Sequence, residues 1–83
     1  AYNNRGYAKV NLGQYKEAIK DYDKAIELDP NNSYGYNSRG ISKANLGQYK
    51  EALKDYKKAL ELDPNNEYAK SNIANLKKEH GLK

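Results

Sequence analysis

The sequence contains no cysteine, methionine, tryptophan or phenylalanine, and it has a single histidine among its 83 residues. Without cysteine, the chain has neither disulfides nor thiolate metal ligands to support a small core. It also lacks an apolar run near the roughly 20 residues that a membrane span needs, and residues 1–20 lack the apolar segment of a signal peptide. We therefore expect one soluble, cytoplasmic domain over residues 1–83 with no membrane partner.

What the sequence does contain is an internal repeat. The segment that begins Asn11-Leu12-Gly13-Gln14 recurs 34 residues later, and residues 1–32 match residues 35–66 at 24 of 32 positions. A fixed period of this size is typical of stacked repeat architectures, in which each unit packs only against its neighbours. The fold is therefore expected to be a solenoid.

Each repeat contains an apolar stripe with helical spacing. In the first repeat it consists of Tyr15, Ala18, Ile19, Tyr22, Ala25 and Ile26, and in the second of Tyr49, Ala52, Leu53, Tyr56, Ala59 and Leu60. Steps of three and one residues place such a set on one face of an α-helix. Pro30 and Pro64 follow shortly after and disfavour helical geometry in the preceding residue, so these second helices should end near Leu28 and Leu62.

A first helix should precede the stripe in each repeat, over about residues 1–12 and 33–46. Gly13 and Gly47 then tolerate the left-handed backbone that often ends a helix. Asn32 and Asn66 are the candidate N-caps of the helices that follow them. Gly40, inside a first helix, costs about 1 kcal/mol relative to alanine, which predicts close packing against the small residues of the second helix.

The segment 67–80 forms a further first-type helix that Gly81 should end. No second-type helix follows it, and Lys77, Lys78 and Glu79 make its free side polar. A terminal element of a solenoid needs such a polar outer face, because an uncovered end would expose apolar surface. We interpret it as a capping helix.

Arg5 and Arg39 recur at the same place in the two repeats, and Asp21 and Asp55 each follow sixteen residues later. A guanidinium on a packed stripe needs a partner, so we predict that each pair joins the two helices of its own repeat. The alternative is that the arginines read a carboxylate or phosphate of a ligand.

Lysines recur four residues apart on each second helix, at Lys16, Lys20, Lys24, Lys50, Lys54 and Lys58. Acidic residues interleave with them, and the net charge is only +4. We therefore favour a solvated face and expect no nucleic-acid partner, although nucleic acid is the alternative reading of these rows. His80 has neither cysteine nor a second histidine beside it, and we expect no enzyme, metal site or cofactor.

These features resemble the tetratricopeptide repeat family, whose 34-residue unit pairs two helices. The resemblance rests on Tyr2 and Tyr36, Gly6 and Gly40, Leu12 and Leu46, Gly13 and Gly47, Tyr15 and Tyr49, Ala18 and Ala52, Tyr22 and Tyr56, Ala25 and Ala59, and Pro30 and Pro64. It implies an all-α, antiparallel helix-hairpin solenoid, a superhelix with repeats at 1–32 and 33–66 and a capping helix at 67–81. The near identity of the repeats is also similar to that of a consensus-derived or designed chain.

The resemblance further implies a shallow concave groove that binds a peptide or a helix of a partner protein. By family position the groove residues would be Asn3, Asn4, Tyr7, Asn11, Tyr34, Asn37, Ser38, Ile41, Asn45, Tyr68, Asn72 and Asn75. One subgroup of the family holds acidic C-terminal tails with cations in this groove, but here the matching places hold Asn3, Tyr7, Ser38, Tyr68 and Asn72. We therefore predict no tight binding of such tails.

Two functions remain open from the sequence: a protein-interaction module, or a designed repeat chain without a physiological ligand. Amide side chains both donate and accept hydrogen bonds, and tyrosine adds contact area at low entropic cost, which favours the first. We expect a monomer, with a homodimer as the alternative.

Overall fold

The structure, a computed structural model, describes Val10 and residues 12–81. Within this part the chain forms four α-helices and no strand: α1 (Tyr15–Leu28), α2 (Ser33–Asn45), α3 (Tyr49–Leu62) and α4 (Glu67–His80). Of the predicted first helix, Val10 is helical and Leu12 lies in the following turn. Its other residues lie outside the described part.

The predicted helix ends are confirmed. Asn32 and Asn66 cap α2 and α4, since their side-chain oxygens accept hydrogen bonds from the backbone N–H groups of Gly35 (2.9 Å) and Ala69 (3.1 Å). The turn before α3 contains Gly47 with φ of 82°, and Gly81 ends α4 with φ of 64°. Both glycines have the left-handed backbone that their positions predicted.

The helices stack as antiparallel hairpins in the order of the chain, with α2 packed between α1 and α3, and α4 packed mainly against α3. The all-α helix-hairpin solenoid is therefore confirmed. Its main apolar cluster consists of Ala52, Leu53, Tyr56 and Leu76, and Ile41, Ala44, Tyr49 and Ile73 pack against it. The predicted stripe of α3 thus contacts both the helix before it and the helix after it.

Gly40 marks the closest approach of α2 to α3. A Cβ atom at this position would lie 2.6 Å from Cε1 of Tyr56 and 3.1 Å from the carbonyl oxygen of Ala52. The first distance is too short for a carbon contact and the second is unusually tight, so the expected close packing is confirmed at Gly40. Gly6, its counterpart in the first repeat, lies outside the described residues.

Candidate functional site

An apolar cleft of about 400 Å³ opens between α1, α2 and α4. Tyr34, Ser38 and Ile41 reach it from one side of α2, since residues three, four and seven positions apart share a helix face. Seven described residues line it: Val10, Tyr22, Tyr34, Asn37, Ser38, Ile41 and Tyr68. We call this space the apolar cleft.

Tyrosine rings form much of the wall of the apolar cleft. Tyr22 is fully buried in α1, and the ring of Tyr34 meets it edge to face with centroids 6.4 Å apart and planes at 72°. Tyr34 is 46% exposed and Tyr68 is 77% exposed. Because the buried ring supports an exposed one, the cleft offers a partner aromatic surface whose position is already fixed.

A second cavity, of about 380 Å³, adjoins the apolar cleft and shares Tyr34, Asn37 and Tyr68 with it. Its other lining residues are Ser33, Asp63, Asn65, Asn66 and Glu67. Asp63 and Glu67 contribute two carboxylates, and none of the eight lining residues is a lysine, arginine or histidine. We call this space the acidic cavity.

The amide side chains of Asn37 and Asn72 join the walls of the groove. Nδ2 of Asn72 donates a hydrogen bond of 3.0 Å to Oδ1 of Asn37, which connects α4 to α2. Asn37 is buried, and the bond gives its carbonyl oxygen a partner. These two asparagines therefore satisfy each other's polar groups between α2 and α4.

A third cavity, of about 310 Å³, lies where the end of α2 meets α3 and α4. Asn45, Asn72 and Asn75 line it together with Tyr49 and His80, whose rings stack with centroids 3.6 Å apart. The Asn45 amide donates a 2.8 Å hydrogen bond to the carbonyl of Ile41 in its own helix.

The groove residues predicted from family position therefore fall into three groups. Tyr34, Asn37, Ser38, Ile41 and Tyr68 meet in the apolar cleft, whereas Asn45, Asn72 and Asn75 meet in the third cavity, and the bond between Asn37 and Asn72 links the two groups. Asn3, Asn4, Tyr7 and Asn11 lie outside the described residues.

Sequence reasoning missed two parts of this surface. Tyr22 was assigned to the packed stripe alone, although it also lines the apolar cleft. The acidic cavity that Asp63 and Glu67 form was not foreseen. Only the stacking of successive hairpins brings Asp63 and Glu67 beside Tyr34, so no local sequence signal indicates the acidic cavity.

Arg39 lies outside these cavities, at the centre of an ion cluster. Its Nε and Nη2 atoms bind the two carboxylate oxygens of Asp55 at 2.9 and 2.8 Å, and Nη1 binds Asp23 at 2.8 Å. Lys43 Nζ lies 3.0 Å from the same Asp55. The predicted pairing of Arg39 with Asp55 is confirmed, whereas Arg5, the predicted partner of Asp21, lies outside the described residues.

The ion cluster has a structural role. The hydrogen bond to Asp55 raises the pKa of Arg39 above its ordinary value, with a further contribution from Asp23, although burial acts in the opposite direction. Two carboxylates bind three nitrogen atoms of the guanidinium. These bonds take the place of those that a ligand carboxylate or phosphate would make. The contribution of Asp23 was missed in the sequence, although it precedes Arg39 by the same sixteen residues that separate Arg39 from Asp55.

The predicted lysine rows carry exposed ion pairs. Lys20 and Lys24 of α1 lie 3.7 and 3.5 Å from glutamate oxygens one turn away, and α3 repeats the arrangement at Lys54 and Lys58. Among the residues described, no group of His, Asp and Glu has the arrangement of a metal site. No helix in that part of the chain is long and apolar enough to cross a membrane.

The chain belongs to the tetratricopeptide repeat family, whose sequence profile matches residues 1–32 and 33–66. Sperm-associated antigen 1 of Mus musculus is 50% identical over 32 residues, which are 39% of this chain and 4% of that protein.

Two solved structures have the same fold. The first TPR of Spaghetti (RPAP3), bound to the HSP90 peptide SRMEEVD, is 31% identical with a TM-score of 0.89, covering 93% of this chain and 61% of that one. The second TPR domain of human RPAP3, in complex with the HSP70 peptide SGPTIEEVD, is 34% identical with a TM-score of 0.88, covering 92% and 63%. The chain thus spans less than two thirds of these structures and a small fraction of the mouse relative.

Proposed function

We propose that this chain is a protein-interaction module that binds a peptide segment of a partner protein across the apolar cleft. The observation that carries the proposal is the cleft itself, an opening of about 400 Å³ lined by two exposed tyrosine rings, of which that of Tyr34 packs against the buried ring of Tyr22. Exposed aromatic side chains on a fixed backbone provide contact area at low entropic cost. The peptides bound by the two RPAP3 domains support this class of ligand.

The nature of the ligand should nevertheless differ from those peptides. SRMEEVD and SGPTIEEVD both end in two glutamates, a valine and an aspartate. The described positions that would face such a tail hold Ser38, Tyr68 and Asn72, none of which is a cation. We therefore expect no saturable binding of the HSP90 peptide at micromolar concentration, and a micromolar titration curve would contradict this.

The test is an amide-resolved NMR titration of the labelled chain with a pooled library of unstructured peptides, after a dilution series without peptide. We expect shifts at Tyr34, Ser38, Ile41 and Tyr68. Replacing Tyr68 by alanine should weaken binding, because it removes an exposed wall of the cleft. Leu28→Ala is the matched control, since Leu28 is 66% exposed and lines none of the three cavities.

Peptide-induced shifts spread evenly over the surface, or none at all, would contradict the proposed function. The designed repeat chain without a ligand would then be the better account. Shifts caused by dilution alone would instead indicate a homodimer in place of the monomer that we propose.

The remaining expectations are part of the same proposal. We propose a single cytoplasmic domain with repeats at 1–32 and 33–66 and a capping helix at 67–81, which acts without catalysis or a cofactor. The ion pairs along the lysine rows support a solvated surface in preference to nucleic-acid binding, because each such pair offsets part of the positive charge.

A further inference from the structure

We propose that the peptide bound in the groove carries an arginine next to an apolar side chain, with the apolar side chain in the apolar cleft and the guanidinium in the acidic cavity. This inference rests on the proposed function, since it specifies the ligand of the same groove. The peptide proposed for this chain is basic, whereas the peptides bound by the RPAP3 domains are rich in glutamate.

The apolar cleft and the acidic cavity are adjacent. Tyr34, Asn37 and Tyr68 line both, so the spaces meet along a common wall. With volumes of about 400 and 380 Å³, each has room for one large side chain. Two neighbouring side chains of one peptide can therefore occupy both, in a backbone conformation that turns them to the same side, because adjacent Cα atoms are about 3.8 Å apart.

The acidic cavity carries negative charge. Asp63 and Glu67 face the acidic cavity, and its lining holds no cation. The polar contacts that engage them are long: Oδ1 of Asp63 accepts from the backbone of Asn65 at 3.3 Å, and Oε1 of Glu67 lies 4.0 Å from Lys70 Nζ. Both carboxylates are exposed, so they retain oxygen lone pairs for a ligand. A glutamate-rich peptide would instead be repelled.

The acidic cavity also combines carboxylates with aromatic rings. Tyr34 and Tyr68 border the same cavity as Asp63 and Glu67. A guanidinium is planar, stacks on aromatic faces and binds carboxylates through several N–H groups, whereas an ammonium is a compact and more strongly hydrated charge. The chain itself uses this arrangement internally, where Arg39 binds Asp55 and lies 5.2 Å from the ring centre of Tyr36. Arginine therefore fits the cavity better than lysine.

The net charge of the chain is +4, so attraction of a basic peptide depends on this local carboxylate pair and not on the overall charge. Both carboxylates are exposed, so each ion pair between the ligand's guanidinium and Asp63 or Glu67 should change the affinity only a few-fold. The preference for a basic peptide over a neutral or acidic one should therefore decrease at high salt.

The experiment uses fluorescent nine-residue peptides of glycine and serine with a central Leu-Arg or Arg-Leu pair. Matched peptides replace arginine by citrulline, which has the same shape and no charge, or by glutamate. Of the Leu-Arg and Arg-Leu peptides, we consider the one that binds more tightly. We expect it to bind about threefold more tightly than its citrulline counterpart, and its glutamate counterpart to bind most weakly. NMR shifts for this peptide should extend from Ile41 to Glu67.

The protein variant Asp63→Asn/Glu67→Gln should remove the preference for arginine over citrulline while keeping binding of the leucine anchor. The Asp63→Asn change retains a side-chain oxygen for the turn. Glu61→Gln is the control, because Glu61 is an exposed carboxylate of α3 that pairs with Lys58 and lines none of the cavities. Circular dichroism verifies that each variant is folded.

The outcomes separate this inference from the function on which it rests. Equal affinity for the arginine and citrulline peptides, with shifts still in the apolar cleft, would overturn the arginine site and leave the groove in place. Tighter binding of the glutamate peptide would also overturn it. If neither these peptides nor the pooled library shifted cleft residues, the proposed function itself would fail.

Discussion

Two successive junctions between the described helices use different chemistry in equivalent positions. Where α2 meets α1 and α3, Arg39 holds Asp23 and Asp55 together. At the next junction, 34 residues later, Ile73 stands in place of Arg39 and Lys57 in place of Asp23. Ile73 packs against the apolar cluster of Tyr56 and its neighbours. The same backbone frame thus accepts an ionic or an apolar junction.

This difference has consequences for stability, which we expect to respond to different perturbations at the two junctions. A buried ion pair contributes little when intact relative to a well-packed apolar pair, yet removing one partner leaves an uncompensated charge. An apolar contact loses stability in proportion to the volume removed.

The largest effect should come from breaking the ionic junction with Asp55→Ala. Arg39 and Lys43 would both lose their common partner, and the Arg39 side chain is only 18% exposed. We expect the free energy of unfolding to fall by about 4 kcal/mol, measured by urea denaturation.

Two companion variants sharpen this result. Glu51→Ala, which removes an exposed carboxylate on the same helix, should change stability by less than about 0.5 kcal/mol. The double variant Arg39→Ile/Asp55→Leu, which makes this junction resemble the next one, should recover most of the loss. A loss no larger for Asp55→Ala than for Glu51→Ala would contradict a stabilising role of the cluster.

Leu76→Ala breaks the apolar junction. Leu76 is buried in the core cluster between α3 and α4, so its truncation should lower the free energy of unfolding by about 3 kcal/mol. Because Leu76→Ala removes no charge, we expect this loss to be the same in low and high salt. The effect of removing Asp23 should instead shrink as salt increases. Equal salt dependence of the two variants would argue against distinct junction chemistries.

High pH should weaken the core that the two junctions share. Burial, with a smaller contribution from the charge of Asp55, raises the pKa of Tyr56 to about 12. Between pH 10 and 12 the unfolded chain has therefore lost this proton while the folded chain retains it. Stability from this group should be fully present below pH 10 and fall toward pH 12, with a slope of at most about 1.4 kcal/mol per pH unit.

The control is Tyr56→Phe, which keeps the ring and removes the titrating hydroxyl. Its stability should fall less steeply between pH 10 and 12 than that of the parent chain, in urea denaturation at each pH. Parallel pH curves for the two proteins would assign the alkaline loss to other groups.

The smallest effect should come from Asp23→Ala. Asp23 is 53% exposed at its side chain, and Arg39 would keep its two bonds to Asp55. We expect a loss of about 0.5 kcal/mol at low ionic strength and less at high salt, measured by thermal unfolding. A loss comparable to that of Asp55→Ala would mean that Asp23 is as important to the cluster as Asp55.

Local chemistry made most of the fold predictable. The apolar stripes together with Pro30 and Pro64 predicted the ends of α1 and α3, and Asn32 and Asn66 were recognised as caps because their function depends only on residues within one helical turn. The pairing of Arg39 with Asp55 was also predictable from the sequence, because the two residues lie on the two helices of one hairpin.

The site was less predictable, because it depends on how successive hairpins stack. Asp23 reaches Arg39 across the boundary between repeats, which no single repeat reveals. The division of the groove into an apolar cleft and an acidic cavity depends on where the rings of Tyr34 and Tyr68 come to lie. Similarly, family position indicated Asn37 and Asn72 as ligand contacts, but only the stacked structure brings them within bonding distance of each other.

The change from Asp23 to Lys57 also bears on how a chain of nearly identical repeats folds in one order. If α3 were to take the place of α1 beside α2, it would bring Lys57 toward Arg39, and two cations would meet where the native arrangement has an ion pair. Mis-stacked and exchanged hairpins are thereby penalised relative to the native arrangement. The difference between Asp23 and Lys57 at one equivalent position thus distinguishes the two repeats and favours their native stacking order.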